Sequence, residues 1–334
     1  MYKIKTSLFV KQNSVECSFS DAASWVILNP IELSIKNKIE KVGVPLKDWD
    51  IKIYRGILTG CNEAFIISEQ KRNEILSWCC DESEKQRTDE IIRPILRGRD
   101  IKRYGYEYAN LYLIATFPSR HYDIEQYPAV KKHLLSFDRE RLAEAGRFDL
   151  LDDISLAQYC KGRLEQTGSD IIVNGKKVIV GNVKKSRKKT GNKWFETQDQ
   201  ISYWDDFSKL KLVWTPVNSE YRFTILPPEI YFNNSLFMIT GNDILSFCGV
   251  LNSKPYLLYL SLQFGRDSYM YGSRESMIQV PIPKQNISLQ TIATLVNKMF
   301  HKPDTKTQKT IDTLVYEMLN LTPDEIVFIE SHCN

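Results

Sequence analysis

Eight cations stand between positions 174 and 193 with no acid among them: Lys176, Lys177, Lys184, Lys185, Arg187, Lys188, Lys189 and Lys193. The whole chain has a net charge of only +4, so this is a local concentration. Such a run suits a phosphate backbone. Each cation that meets a phosphate releases a counterion and adds affinity without reading sequence. A solvated loop with no ligand is the competing reading. A second set of residues has the chemistry of base reading. Arginine can grip the major-groove edge of guanine with two hydrogen bonds, and asparagine can do the same for adenine. The candidates at polar tips are Thr59 and Asn62, Arg97 and Arg99, Asn218 and Arg222, and Arg266, Tyr269, Tyr271 and Arg274. Each of them taken alone is also an ordinary surface or turn residue, and for Arg97 and Arg99 the bland reading is a solvated strand end with Asp100 pairing an arginine.

Catalytic groups are poorly supplied. Glu69-Gln70-Lys71 has the E-x-K spacing of a metal-dependent nuclease, but no suitable aspartate precedes it, and such triplets arise by chance. Asp152-Asp153 reads as a helix start or a solvated pair. The seven cysteines are odd in number and scattered, which argues against a disulfide framework, and the four histidines are too dispersed for a zinc site. Reduced thiols in a cytoplasm are the expectation. No run of about 18 apolar residues suggests a membrane span, and the apolar stretch near Met1 is too short for a secretory signal. With 43% hydrophobic and 26% charged residues, the composition is that of an ordinary globular chain.

The elements that must position these groups follow from local pattern. Asn29, Pro30 and Glu32 carry the cap, first-turn proline and capping-box spacing of a helix over 30–42, with Ile31, Ile35, Ile39 and Val42 on one stripe. Residues 50–67 read as a strand, a glycine-containing turn at Gly56 to Gly60, and a returning strand. A helix is expected over 71–80, a polar loop over 81–90, a strand over 106–117 and a helix from Ala129 to Ala145. Asn174-Gly175 is a hairpin-turn dipeptide, and Val178 to Val180 would form the returning strand. Leu210, Leu212 and Trp214 alternate as a strand, and Ile230 to Ile239 reads as another. Residues 241–264 are helical, with Pro255 set to kink or divide them. Two amphipathic stripes follow, Leu289 to Met299 and Ile311 to Leu319, and Thr322, Pro323 and Glu325 open a last helix.

Several short motifs in this order carry a resemblance. They are GILTGCNEAFII from Gly56, the P-x-x-R-G-R-D-I of Pro94 to Ile101, the L-N-S-K of Leu251 to Lys254, the Pro281-Ile282-Pro283 ending and the segment from Ile311 to Ile326. Together the sequence resembles the TaqI-like specificity domain, the DNA target-recognition region of type IIG restriction-modification methyltransferases, which is related to type I specificity subunits. The resemblance implies an α+β fold: a strand-rich target-recognition domain with packed helices and a C-terminal helical segment. It implies a connector over 1–46, a recognition domain over 47–285 and C-terminal helices over 286–334. It also implies double-stranded DNA as partner, alongside a methyltransferase or nuclease domain or subunit. The family's adenine methyltransferase uses a Gly-rich strand-to-helix turn for S-adenosylmethionine and an Asn-Pro-Pro-Tyr loop for the flipped base. Asn29-Pro30-Ile31 lacks the second proline and the tyrosine, and no such glycine turn follows a strand. The cofactor and magnesium are therefore expected only in associated catalytic domains. Two rivals stay open: a nuclease or methyltransferase subunit active by itself, and a module whose C-terminal helices dock a methyltransferase.

Overall fold

A computed structural model describes residues 28–136, 164–167, 170–173, 176–177, 192–218, 220–264, 270–284 and 287–333. The first part of the chain runs α1 (Pro30–Val42), β1 (Gly43–Pro45), β2 (Ile51–Arg55), α2 (Asn62–Phe65), β3 (Ile66–Ser68), α3 (Glu69–Ser77), α4 (Glu82–Ile91) and β4 (Ile92–Leu96). Then come β5 (Ile101–Lys102), β6 (Gly105–Tyr106), β7 (Leu111–Ile114), α5 (Pro128–Ser136), β8 (Leu164–Thr167), β9 (Asp170–Val173) and β10 (Lys176–Lys177). The remainder is β11 (Lys211–Trp214), β12 (Val217–Asn218), β13 (Phe223–Leu226), β14 (Tyr231–Phe232), β15 (Phe237–Gly241), α6 (Ile244–Leu251), α7 (Lys254–Phe264), β16 (Met270–Tyr271), α8 (Arg274–Met277), β17 (Pro281–Pro283), α9 (Ile287–His301), α10 (Thr305–Met318) and α11 (Pro323–His332). The fold is α+β.

Helix starts follow their capping chemistry. Asn29 Oδ1 accepts the Glu32 N–H and the Glu32 carboxylate accepts the Asn29 N–H, both at 2.9 Å, which satisfies two orphan donors of α1. Thr322 and Glu325 do the same for α11. The expected polar loop over 81–90 is instead helix α4. Asp81 caps it by accepting the Glu84 N–H at 2.7 Å. Glu84 is buried and accepts the N–H groups of Cys80 (2.8 Å) and Ala129 (3.0 Å), so a polar sequence is held in place by its own carboxylates. The residues between α6 and α7 are Asn252 and Ser253, so the helical stretch is divided just ahead of Pro255, which sits in the first turn of α7.

Two four-stranded sheets organise the molecule: β13-β11-β15-β2, and β14-β4-β7-β3. The first is covered on both faces. Leu212, Trp214, Phe223, Ile225 and Ile239 turn to one core, shared with α1, α6, α7 and the stripes of α9 to α11. Val213, Leu226 and Met238, at alternate positions, turn to a second core shared with the other sheet. Period-two geometry explains why all four residues of β11 are buried. Leu289, Ile292, Val296, Ile311 and Val315 are each at most 2% exposed, so both amphipathic stripes pack on the protein's own core.

The hairpin expected over 50–67 does not form. β2 pairs antiparallel with β15, while β3 pairs with β7 in the other sheet. Gly56 makes no turn: a Cβ there would lie 2.1 Å from the Asn233 carbonyl oxygen, so the residue is demanded by close passage of two chains. Gly60 does need its freedom, with φ of +77°. The strand expected over 230–239 is likewise two strands, β14 beside β4 and β15 beside β11, joined across residues 233–236. The chain therefore passes between the sheets twice at one place. Gly56 N–H donates to Leu236 O (2.8 Å), Ile57 N–H to Phe232 O (2.9 Å) and Asn234 N–H to Ile57 O (2.9 Å). Elsewhere β9 and β10 pair with Val173 opposite Lys176, the register that a two-residue turn at 174–175 requires. Residues 137–145 and Val178 to Val180 lie outside the described residues.

Lys211 in β11 is fully buried. Its ammonium donates to the carbonyls of Phe207 (2.7 Å), Lys209 (3.0 Å) and Pro227 (2.8 Å), matching its three hydrogens. Burial nevertheless pushes it from 10.5 down to about 7, opposed by the field of Glu229. Between these values the unfolded chain holds a proton that the folded chain has released, so stability rises with pH across that window. From pH 7.5 to 9 the gain attributable to Lys211 is at most about 2 kcal/mol. Urea titrations at both pH values should show it in the parent and lose it in Lys211→Met. An equal pH response in both proteins contradicts the assignment.

Candidate nucleic-acid interface

The double crossing between the sheets leaves an open cleft of about 800 Å³ beside it. Its walls come from five separate stretches. Asn62, Glu63 and Ile66 enter from α2 and β3, and Arg97, Gly98 and Arg99 from the turn after β4. Leu111 enters from β7, Thr215 and Arg222 from either side of β12, and Asn233 and Ser235 from the crossing itself. Of the residues that sequence singles out for base reading, Asn62, Arg97, Arg99 and Arg222 are thus brought together although they are far apart in the chain. Three arginines face one lining carboxylate, Glu63.

Local bonds fix some of these groups. The carboxylate of Asp100, 6% exposed, accepts from Arg97 Nε (3.0 Å), Arg97 Nη2 (3.0 Å) and the Arg97 backbone N–H (2.8 Å). This bidentate pairing is a rigid geometry rather than a loose surface ion pair. Arg99 is exposed and has no carboxylate partner among the described residues. Arg222 reaches Glu220 at 3.2 Å, a solvent-facing pair that contributes little. Ser235 N–H and Oγ–H both donate to Asn233 Oδ1, an Asx turn, and Ser235 Oγ accepts the Gly98 N–H at 2.7 Å.

Thr59 is not the exposed tip that the sequence suggests. It is fully buried, and its hydroxyl donates to Asn62 Oδ1 at 2.7 Å, so it orients Asn62 instead of meeting a ligand. Its carbonyl accepts the Gln198 N–H (3.1 Å), Leu58 O accepts the Asp199 N–H (3.2 Å), and Asn192 Nδ2 donates to the carbonyls of Thr197 and Gln198. The chain leaving the lysine-dense run is therefore pinned beside the cleft floor. Lys193, at the end of that run, is exposed, with its ammonium 5.6 Å from the Phe195 ring centre.

Other candidates fall elsewhere. Arg274 starts α8 and donates through Nε to Ile53 O at 3.3 Å, away from the cleft lining. The backbone of Asn218 pairs with Met270 and that of Val217 with Tyr271, so the 217–222 and 270–274 segments are neighbours, but the side chains of Asn218 and Tyr271 lie outside the described part. So do those of Lys176 and Lys177. Arg266, Tyr269, Lys184, Lys185, Arg187, Lys188 and Lys189 lie wholly outside it. Sequence reasoning missed Thr215, Asn233 and Ser235 as cleft builders, while Asp100 does pair an arginine, Arg97, but as a buried carboxylate and not at a solvated strand end. The available signal was Asn233-Asn234 between apolar runs, a turn mark that the strand reading overrode. No cluster of three or more possible metal ligands occurs among the described residues, and no helix among them is long and apolar enough to cross a membrane.

No family model matches the chain, and no curated protein matches it. Among solved structures the chain is similar to the type IIG restriction endonuclease BpuSI, with a TM-score of 0.41 and 10% identity over 88% of this chain and 33% of that one. It is also similar to the type IIL restriction-modification enzyme MmeI, solved in complex with DNA, with a TM-score of 0.49 and 11% identity over 86% of this chain and 35% of that one. The chain spans about a third of the length of these neighbours.

Proposed function

We propose that this chain recognises a specific sequence in double-stranded DNA on behalf of a restriction-modification enzyme, while methyl transfer and cleavage belong to domains or subunits associated with it. The observation that carries this reading is the cleft, where Asn62, Arg97, Arg99 and Arg222 converge from separate parts of the chain. The lysine-dense run, which leads in sequence into residues 192–199, would hold phosphates and set affinity. The cleft would then inspect base edges. S-adenosylmethionine and magnesium would be held by the associated catalytic parts, and the order of motifs in the sequence supports that division of labour.

The test is a fluorescence titration of a labelled duplex with the full chain at about 50 mM salt, run with and without magnesium and a methyl donor. Saturable duplex binding that competitor duplexes of other sequence displace poorly is the expected result, with neither cleavage nor methylation. Cleavage or methylation by the chain alone would move the reading to a catalytic subunit. Absence of duplex binding would end it.

A further inference from the structure

We infer that the cleft selects a base edge bearing only hydrogen-bond acceptors, the O6 and N7 of guanine in the major groove, and that Asp100, Thr59 and Ser235 set this choice as positioning residues. The inference rests on the DNA-recognition reading above and adds which base is read and by what device.

Three side chains in the cleft could in principle offer either donors or acceptors, or could point either way, and in each one a neighbour narrows the choice. Arg97 has five N–H donors in a planar fork. Its side edge, Nε and Nη2, is occupied by the two oxygens of Asp100 at 3.0 Å each. What remains is the end of the fork, the hydrogens of Nη1 and the outer hydrogen of Nη2. These are two parallel donors at the spacing of guanine O6 and N7. Because Asp100 is buried and also takes the Arg97 backbone N–H, the fork is held before any ligand arrives.

The two asparagines are biased in the same direction. Reading adenine requires an amide to accept from N6 and to donate to N7. Asn62 Oδ1 already accepts from Thr59 at 2.7 Å, and Asn233 Oδ1 accepts from both the hydroxyl and the N–H of Ser235. Their Nδ2 hydrogens have no acceptor among the described residues. Each asparagine therefore presents Nδ2 donors; Asn233 Oδ1 has both lone pairs engaged, and Asn62 Oδ1 keeps one. With Arg99 and Arg222 on the same walls, donors predominate in the cleft, which disfavours the amino group of adenine. Glu63 is the competing acceptor on the wall, and its replacement separates the two possibilities.

The experiment uses the full chain and the duplex it enriches from a random pool, with each guanine in turn replaced by 7-deazaguanine, which lacks the N7 acceptor. At one guanine the replacement should weaken binding severalfold and by no more than about 150-fold, the worth of a whole bidentate contact, because O6 remains. In Arg97→Lys, which keeps the charge but loses the fork, that same replacement should have no further effect, while the salt dependence stays that of the parent. Asp100→Asn should reduce discrimination at the same guanine and no other, and Glu63→Gln should leave discrimination unchanged. Arg97→Lys weakening all duplexes equally would make Arg97 a phosphate contact and overturn the inference, leaving DNA recognition intact. So would indifference to every 7-deazaguanine, or loss of selectivity in Glu63→Gln. A pool that yields no preferred duplex would overturn both readings.

Discussion

Replacing Trp214 with alanine is expected to destabilise the protein by about 3–5 kcal/mol, the cost of emptying a large aromatic site in a packed core. Trp214 has no exposed surface, its ring stacks on Phe237 with centres 5.4 Å apart, and its Nε1–H donates to Gly272 O at 3.0 Å. Total stability in domains of this kind is about 5–15 kcal/mol, so the loss is a large fraction. The hydrogen bond adds a second consequence. Gly272 also donates its N–H to Pro216 O at 2.7 Å, and this tie lies beside the β12–β16 pairing that leads into Arg222. Trp214→Phe keeps an apolar ring but leaves the Gly272 carbonyl unpaired, and should cost about 1–3 kcal/mol. Urea unfolding of the three proteins gives both figures. A loss below about 1 kcal/mol for Trp214→Ala would mean that this side chain is not the core anchor its burial indicates.

The combined substitution of Lys184, Lys185, Lys188 and Lys189 with alanine carries the largest effect on binding. With about five lysines on phosphates, the logarithm of affinity should fall with the logarithm of salt at a slope of about −4 to −5, and the variant should retain about −1. Between about 50 and 200 mM salt the parent then loses several hundredfold in affinity and the variant only about fourfold. The loss at low salt should be equal for every duplex, since phosphate contacts carry no sequence information. Affinity measured across a salt series decides the matter. An unchanged slope in the variant would remove these lysines from the interface.

Much of the helical architecture was legible because its signals are local. Asn29-Pro30-Ile31-Glu32 and Thr322-Pro323-Asp324-Glu325 each contain a whole cap within four residues, and both helices start where those residues stand. Pro255 acted over a similarly short distance, and β9 and β10 pair in the register that a two-residue turn at 174–175 requires. The failures share the opposite cause. Gly56 looked like a turn residue because glycine favours turns, whereas its need is set by Asn233, almost 180 residues away. Ile230 to Ile239 looked continuous because apolar residues flank the Asn233–Leu236 crossing on both sides, and only the pairing of β14 with β4 and of β15 with β11 and β2 shows that the chain changes sheets there. Helix α4 hid behind a polar sequence whose stripe is supplied by Thr88, Ile91 and a buried, bonded Glu84. The cleft was half legible for the same reason. Residue types marked Asn62, Arg97, Arg99 and Arg222, and Asp100 stands three residues from the Arg97 it holds, but Asn233 and Ser235 reach the cleft only because the chain changes sheets there, and Thr59 is buried against Asn62 where an exposed tip was expected.

The central claim is that the chain chooses among DNA sequences. Repeated rounds of selection from a pool of random duplexes with the full chain, followed by sequencing of what is retained, test it most directly. Convergence on one short pattern containing at least one guanine whose identity is lost in the Arg97→Lys protein is the result the structure leads us to expect. Retention of duplexes with no common pattern, or of none at all at low ionic strength, would contradict it.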